Sequence, residues 1–211
     1  MDIKIEKLTD LSLLKRANSV TTGRESKMDL AKAYRLGHSP IRTQIFWIEM
    51  REIPLFCASQ FVRSNVGVQF FQLSKRTDRG GEDFRDVCDA IVIGMQLNGC
   101  GSCHGNREIL DAIESLPDRF DRYTPVDLAC IINAEAIITM SRKRLCAKAS
   151  PETREIWGKV VEEVRKCDPD LANHCVKPCV YCGFCREAKP CGFMKTAEYE
   201  RRREDYLKLF E

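Results

Sequence analysis

Between Gln60 and Arg79 the chain reads QFVRSNVGVQFFQLSKRTDR, an apolar, strand-like run that carries Arg63, Arg76 and Arg79. A run of this kind is built for a half-buried strand. Guanidinium groups beside it must either stay in water or meet an anion. The fold therefore has to place a helix-to-strand junction where arginines gather, as a solvated strand face or as an anion site.

A planar guanidinium suits phosphate because its donors make two charge-assisted hydrogen bonds at once. In a strand, positions 72, 74 and 76 share a face, so Gln72, Ser74 and Arg76 project together. With Gln60 just upstream, that face offers amides that donate and accept, as the edge of a pyrimidine ring requires.

The 211 residues, 44% hydrophobic and 31% charged, suffice for one main core. A net charge of +3 is too mild for a protein that binds a nucleic-acid polymer, so the expected anion is a small one. The start MDIKIEKLTDL lacks the apolar centre of a secretory leader, and no run approaches a membrane span. A soluble, cytoplasmic protein is expected, with its twelve cysteines reduced or ligating metal.

IKIEKL alternates as a strand, and ESKMDLAKAYRLG reads as an amphipathic helix stopped by Gly37. IRTQIFWIEM and PLFCASQFVRS follow as strand and helix, and VGVQFFQL as strand. FRDVCDAIVIGMQLNG and NREILDAIESL have helical spacing. Thr124 before Pro125 signals a long helix through VDLACIINAEAIITMSRKRL, which would put Asn133 and Arg144, eleven positions apart, on one stripe. Arg142 and Lys143 also suit that helix's C-terminal dipole. Ser150 before Pro151 starts another helix, and KTAEYERRREDYLKLFE closes the chain as an exposed one with Glu198/Arg202 and Glu204/Lys208 pairs.

Cys179, Cys182, Cys185 and Cys191 are spaced C-x2-C-x2-C-x5-C, with His174 and Cys175 just upstream. Tight turns of this type bring thiolates to one ion, zinc or an iron–sulfur cluster, although a reduced, packed cysteine loop has the same spacing. Cys100, Cys103 and His104 form a further half-site or redox pair. Cys146, close to Arg144, reads as a packed helical thiol or a nucleophile.

Three blocks together, GHSPIRTQIFWIEMREIPLFCASQFVRS, VQFFQLSKRTDR and INAEAIITMSRKRLCAKASPETREIW, resemble the flavin-dependent thymidylate synthases, the ThyX family, over Leu36 to Gly192. The cysteine-rich end is similar to that of phage and Gram-positive variants. Arg63 matches the first arginine of the family's R-H-R signature, with Ser64 and Asn65 where histidine and the second arginine stand. Ser74 and Arg76 match its closing serine and arginine, one residue further on than in the family.

The resemblance implies an α/β (α+β) ThyX-like fold, with a mixed sheet, long helices and a small cysteine-rich knob. It divides the chain into a catalytic domain over 1–167, a cysteine-rich segment over 168–192 packed on it, and a C-terminal helix over 193–211. It implies a deoxyuridylate (dUMP) site of Gln60, Arg63, Gln72, Ser74, Arg76 and Arg144, with Arg76 at the phosphate and Arg144 catalytic beside the pyrimidine N3. FAD would meet Ser39, Arg63, Ser64, Asn65, Asn133 and Thr139. Glu135 stands where the family commonly has arginine.

The implied reaction converts dUMP to dTMP with 5,10-methylenetetrahydrofolate as carbon donor and NADPH-reduced FAD as hydride source, in a homotetramer whose partners are small molecules rather than nucleic acid or membrane. Zinc at the four clustered cysteines is a separate expectation. Ser64, Asn65 and Glu135 also leave open a sister enzyme that modifies pyrimidine C5 differently, by hydroxymethylation for example, and a non-catalytic nucleotide-binding relative.

Overall fold

The computed structural model describes residues 1–72 and 122–211. Strands β1 (Asp2–Lys7), β2 (Ile45–Pro54), β3 (Val68–Gln72) and β4 (Pro125–Asn133) form one sheet in the order β1-β2-β4-β3. Among the described residues every neighbouring pair is antiparallel, within the expected α/β fold class. β2 and β3 do run in the same direction, but β4 lies between them and hydrogen-bonds to both.

Alternation sets one face of this sheet as core. Ile5, Ile48, Cys130 and Phe70 form one row across the four strands, and Ile3, Met50, Leu128 and Gln72 form the next. Each side chain of a row lies opposite its neighbour, so slipping one strand by a residue would expose its whole apolar set. Between Met50 and Ile53 the register shifts, and Glu52 takes a left-handed φ of 54° with its N–H on Asp127 Oδ1 at 2.9 Å.

Pro125–Asn133 is a strand, correcting the helix expected from Thr124-Pro125. Val126, Leu128, Cys130 and Ile132 are buried and alternate with more accessible neighbours, and this period-2 pattern overrides a local start signal. The helix begins at the strand's end: α4 spans Ala134–Arg144, and Asn133 caps it by accepting the Ala136 N–H at 2.9 Å. Asn133 and Arg144 therefore mark the two ends of α4.

Other helices follow their expected signals. α1 (Leu11–Thr22) is capped by Asp10, and α2 (Leu30–Leu36) is capped by Asp29 and ends at left-handed Gly37. α3 (Leu55–Phe61) continues directly from β2. α5 (Pro151–Cys167) starts on Ser150, and α6 (Pro169–His174) and α7 (Pro178–Cys182) lead through the cysteine-rich segment to α8 (Ala197–Leu207). Glu198 and Arg202 meet on α8 at 2.7 Å. Trp157 of α5 joins three helices, stacking on Phe61 of α3 at 5.5 Å and donating to Ser141 Oγ of α4 at 2.9 Å. Among the described residues no helix is long and apolar enough to cross a membrane.

The polar centre of this packing is Asp168, 1% exposed. Its carboxylate accepts from Lys7 Nζ at 2.6 Å, from Tyr34 Oη at 2.8 Å and from the Leu171 N–H at 3.0 Å. Asp168→Ala would strand a part-buried ammonium and a buried phenol while removing the α6 cap. The expected loss is about 3 kcal/mol or more in urea-unfolding stability.

His174 is buried beside the rings of Tyr34, Tyr206 and Phe210. Burial, then the Arg142 charge, push its pKa from 6.5 down to about 4. The folded protein keeps His174 neutral where the unfolded chain binds a proton. This contribution is complete above about pH 6.5 and is lost as pH falls toward 4, by about 3 kcal/mol. Unfolding curves at pH 7 and 4.5 should show that slope in the native protein and a shallower one in His174→Gln.

Candidate functional site

The C-terminal end of α3 and that of α4 meet through Arg144. Its guanidinium Nη2 donates to the Gln60 carbonyl, and its centre lies 5.9 Å from the Phe61 ring. The Gln60 side chain is held from the other direction. Ser150 Oγ, at the start of α5, donates to Thr153 Oγ1 at 2.8 Å, and Thr153 donates onward to Gln60 Oε1 at 3.2 Å. The Gln60 amide is thus oriented before any ligand arrives.

Arg63 follows α3 and is exposed, whereas Arg144 is half-buried. Burial, then the Arg63 charge, push the Arg144 pKa below its ordinary value. Among the described residues Arg144 Nε is buried without a hydrogen-bond partner, and neither arginine has a carboxylate partner. Two converging cations and one unsatisfied buried donor favour an anion with several acceptor oxygens or an ionisable ring.

The chain from Arg63 to Gly67 leads from this cationic end of α4 to its N-terminus. There Asn133 donates its N–H to the Gly67 carbonyl at 2.9 Å, and the Ala134 N–H donates to the Gln44 carbonyl at 2.9 Å. A Cβ on Gly67 would stand 2.5 Å from Asn133 Nδ2, and the φ of +75° is itself one that side chains resist. Glycine here lets the turn lie directly against the helix cap.

Beside this cap, Glu135 is paired with Arg42 of the 3-10 turn Ser39–Thr43, at 2.6 Å to Nε and 3.3 Å to Nη2. Sequence reasoning singled out Glu135 as an unexpected anion and missed its partner. No local pattern connects residues 93 positions apart. The Glu135 charge raises the Arg42 pKa, with the hydrogen bond between them the larger cause.

Gln60, Arg63 and Arg144 are thus brought together. Asn133 stands at the other end of α4, against Gly67, and Ser39 shares the turn that carries Arg42. Thr139 lies exposed on α4, four residues beyond Glu135 and so on the same helix face. Gln72 is exposed at the end of described β3, and Ser74, Arg76, Arg79, Cys100, Cys103 and His104 lie outside the described residues, as do the helices expected over FRDVCDAIVIGMQLNG and NREILDAIESL.

The cysteines divide by surroundings. Cys130 and Cys175 are core thiols, each pushed up to about 12 chiefly by burial. Cys182 Sγ is engaged by the Pro178 and Phe184 carbonyls at 2.9 and 3.1 Å. Among the described residues no three His, Cys, Asp or Glu side chains are gathered tightly enough to hold a metal ion.

No protein-family model and no curated protein matches the sequence. Solved structures do match in shape. Thymidylate Synthase X (ThyX) from Helicobacter pylori, crystallised with FAD and dUMP, superposes with a TM-score of 0.55 at 14% identity, covering 83% of this chain and all of that one. A second structure of the flavin-dependent enzyme from the same organism, also with FAD and dUMP, gives 0.56 at 15% identity over 84% of this chain and 100% of its own. The chain therefore has the fold seen in these proteins.

Gly67→Ala should destabilise the protein by about 1–2 kcal/mol in denaturant titration, from the left-handed backbone alone. A backbone-amide NMR spectrum should show displaced signals for Asn133 and Ala134.

Proposed function

We propose that the protein binds dUMP and modifies its C5 position, acting as a flavin-dependent thymidylate synthase that forms dTMP. The observation carrying this reading is the pairing of Arg63 with Arg144 around Gln60, where a buried guanidinium nitrogen lacks a partner among the described residues. The shared fold with proteins crystallised with FAD and dUMP supports it.

Arg144 is the residue that acts on the ring. A half-buried cation beside the pyrimidine imide favours loss of the N3 proton and places electron density at C5, so that C5 becomes nucleophilic without a protein thiolate. The Gln60 amide, fixed by Thr153, orients the ring edge. Arg63, with Gln72, Ser74 and Arg76, completes the nucleotide site, and Arg76 takes the phosphate.

The residues around the α4 cap fit a flavin dinucleotide. Glu135 would by itself repel the diphosphate, but Arg42 neutralises it, and Ser39, Arg63 and Thr139 remain open to solvent. Ser39, Arg63, Ser64, Asn65, Asn133 and Thr139 would hold it. Bound flavin would supply the hydride that completes a methyl group, with the carbon drawn from 5,10-methylenetetrahydrofolate and the electrons from NADPH. The assembly in this reading is a homotetramer.

Release of tritium from C5-labelled dUMP, in the presence of FAD, NADPH and methylenetetrahydrofolate, tests the reaction. Native protein should release label and form dTMP. Arg144→Ala should bind dUMP about 10- to 100-fold more weakly by calorimetry and release no label, because the charge-assisted contact and the stabilised N3 anion are lost together. Native dUMP affinity in Arg144→Ala would refute the site assignment.

A further inference from the structure

Where α3, α4 and α5 meet, a short hydroxyl chain ends on an amide. Thr153, in the first turn of α5, is fully buried. Its Oγ1 accepts from Ser150 Oγ at 2.8 Å and donates to Gln60 Oε1 at 3.2 Å, with Cys57 Sγ at 3.5 Å as its other neighbour. The Gln60 backbone is held separately, through its carbonyl, by the Arg144 guanidinium.

The protons decide which way the amide faces. Ser150 Oγ accepts the Thr153 N–H at 3.2 Å as the α5 cap, and its own proton goes to Thr153 Oγ1. Thr153 then has one proton to give. Burial keeps Cys57 a protonated thiol, which is a weak acceptor, so that proton belongs on Gln60 Oε1. With the amide turned over, Nε2 and Ser150 would both donate to Thr153, whose own proton would be left to the thiol. Gln60 Oε1 is therefore used inside the protein. Nε2 has no partner among the described residues, and it is the end the amide offers to a ligand.

We infer, resting on the proposed function, that Ser150 and Thr153 are positioning residues that make the site select uracil over cytosine nucleotides. Beside N3 the two bases differ at position 4, where uracil carries a carbonyl and cytosine an amine, while both keep the position-2 carbonyl. An amide nitrogen locked outward donates to the position-4 carbonyl of uracil. Against cytosine two donors face each other and neither is satisfied. Arg144 does not supply this choice, because a guanidinium donates equally well to the bare N3 of cytosine. A glutamine free to turn would present either end and accept both bases. The selection is thus set by the hydroxyls of α5, which hold the amide one way round.

Calorimetry of the full chain with dUMP and dCMP tests this. The native protein should bind dCMP roughly 10- to 100-fold more weakly than dUMP. Thr153→Val keeps the shape of the side chain and removes the hydroxyl, so the two affinities should draw to within about threefold of each other. Thr153→Ser should restore the native ratio. Ser150→Ala should also narrow it, since Thr153 can then accept from Nε2 and the amide can turn.

A purely structural role for these hydroxyls would weaken both nucleotides together and leave their ratio unchanged. Circular dichroism of each variant reports its folding. An unchanged ratio in folded Thr153→Val and Ser150→Ala, or equal affinities in the native protein, would overturn the inference; loss of dUMP binding in Arg144→Ala would still uphold the nucleotide site. Binding of neither nucleotide by the native protein would overturn both.

Discussion

A single carboxylate, buried where three parts of the chain meet, fixes the arrangement on which the rest depends. Asp168 takes the ammonium of Lys7 from β1, the phenol of Tyr34 from α2 and the Leu171 N–H of α6. Buried charge is costly unless every lone pair is used. Once it is used, few alternative packings satisfy the same groups. The first strand, the helical layer and the start of the cysteine-rich segment are tied at one point, so α5, which ends there, has its direction set.

That direction matters for the cationic site. α5 begins at Ser150, and the hydroxyl chain from its first turn orients Gln60. Its Trp157 holds α3 against α4. The guanidinium of Arg144 reaches the Gln60 backbone only because these helices are clamped together. The site is thus assembled from helix ends on a sheet, with α4 as a bridge between a cationic end and a capped end.

Much of this was legible in the chain. β1, the Gly37 stop, α3 after β2 and the Ser150-Pro151 start each carry their signal within a few residues, and the fold class followed from the resemblance of three blocks. The failures have physical causes. Thr124-Pro125 is a good local helix start, yet the buried alternation of Val126, Leu128, Cys130 and Ile132 gains more from pairing with β2 and β3. Reading a helix there misplaced Asn133, which is a cap. Arg42 was missed because its partner is distant in sequence, and the role of Gly67 is visible only when the cap it touches is in place.

The Arg42–Glu135 pair also limits how this chain can change. An arginine at position 135, in this background, would face Arg42 across the same gap and would add a second cation at the positive end of a helix. The two positions are therefore epistatic. A basic residue at 135 is therefore better tolerated once position 42 is neutral or acidic, so the effect of either substitution depends on the other through one exposed ion pair.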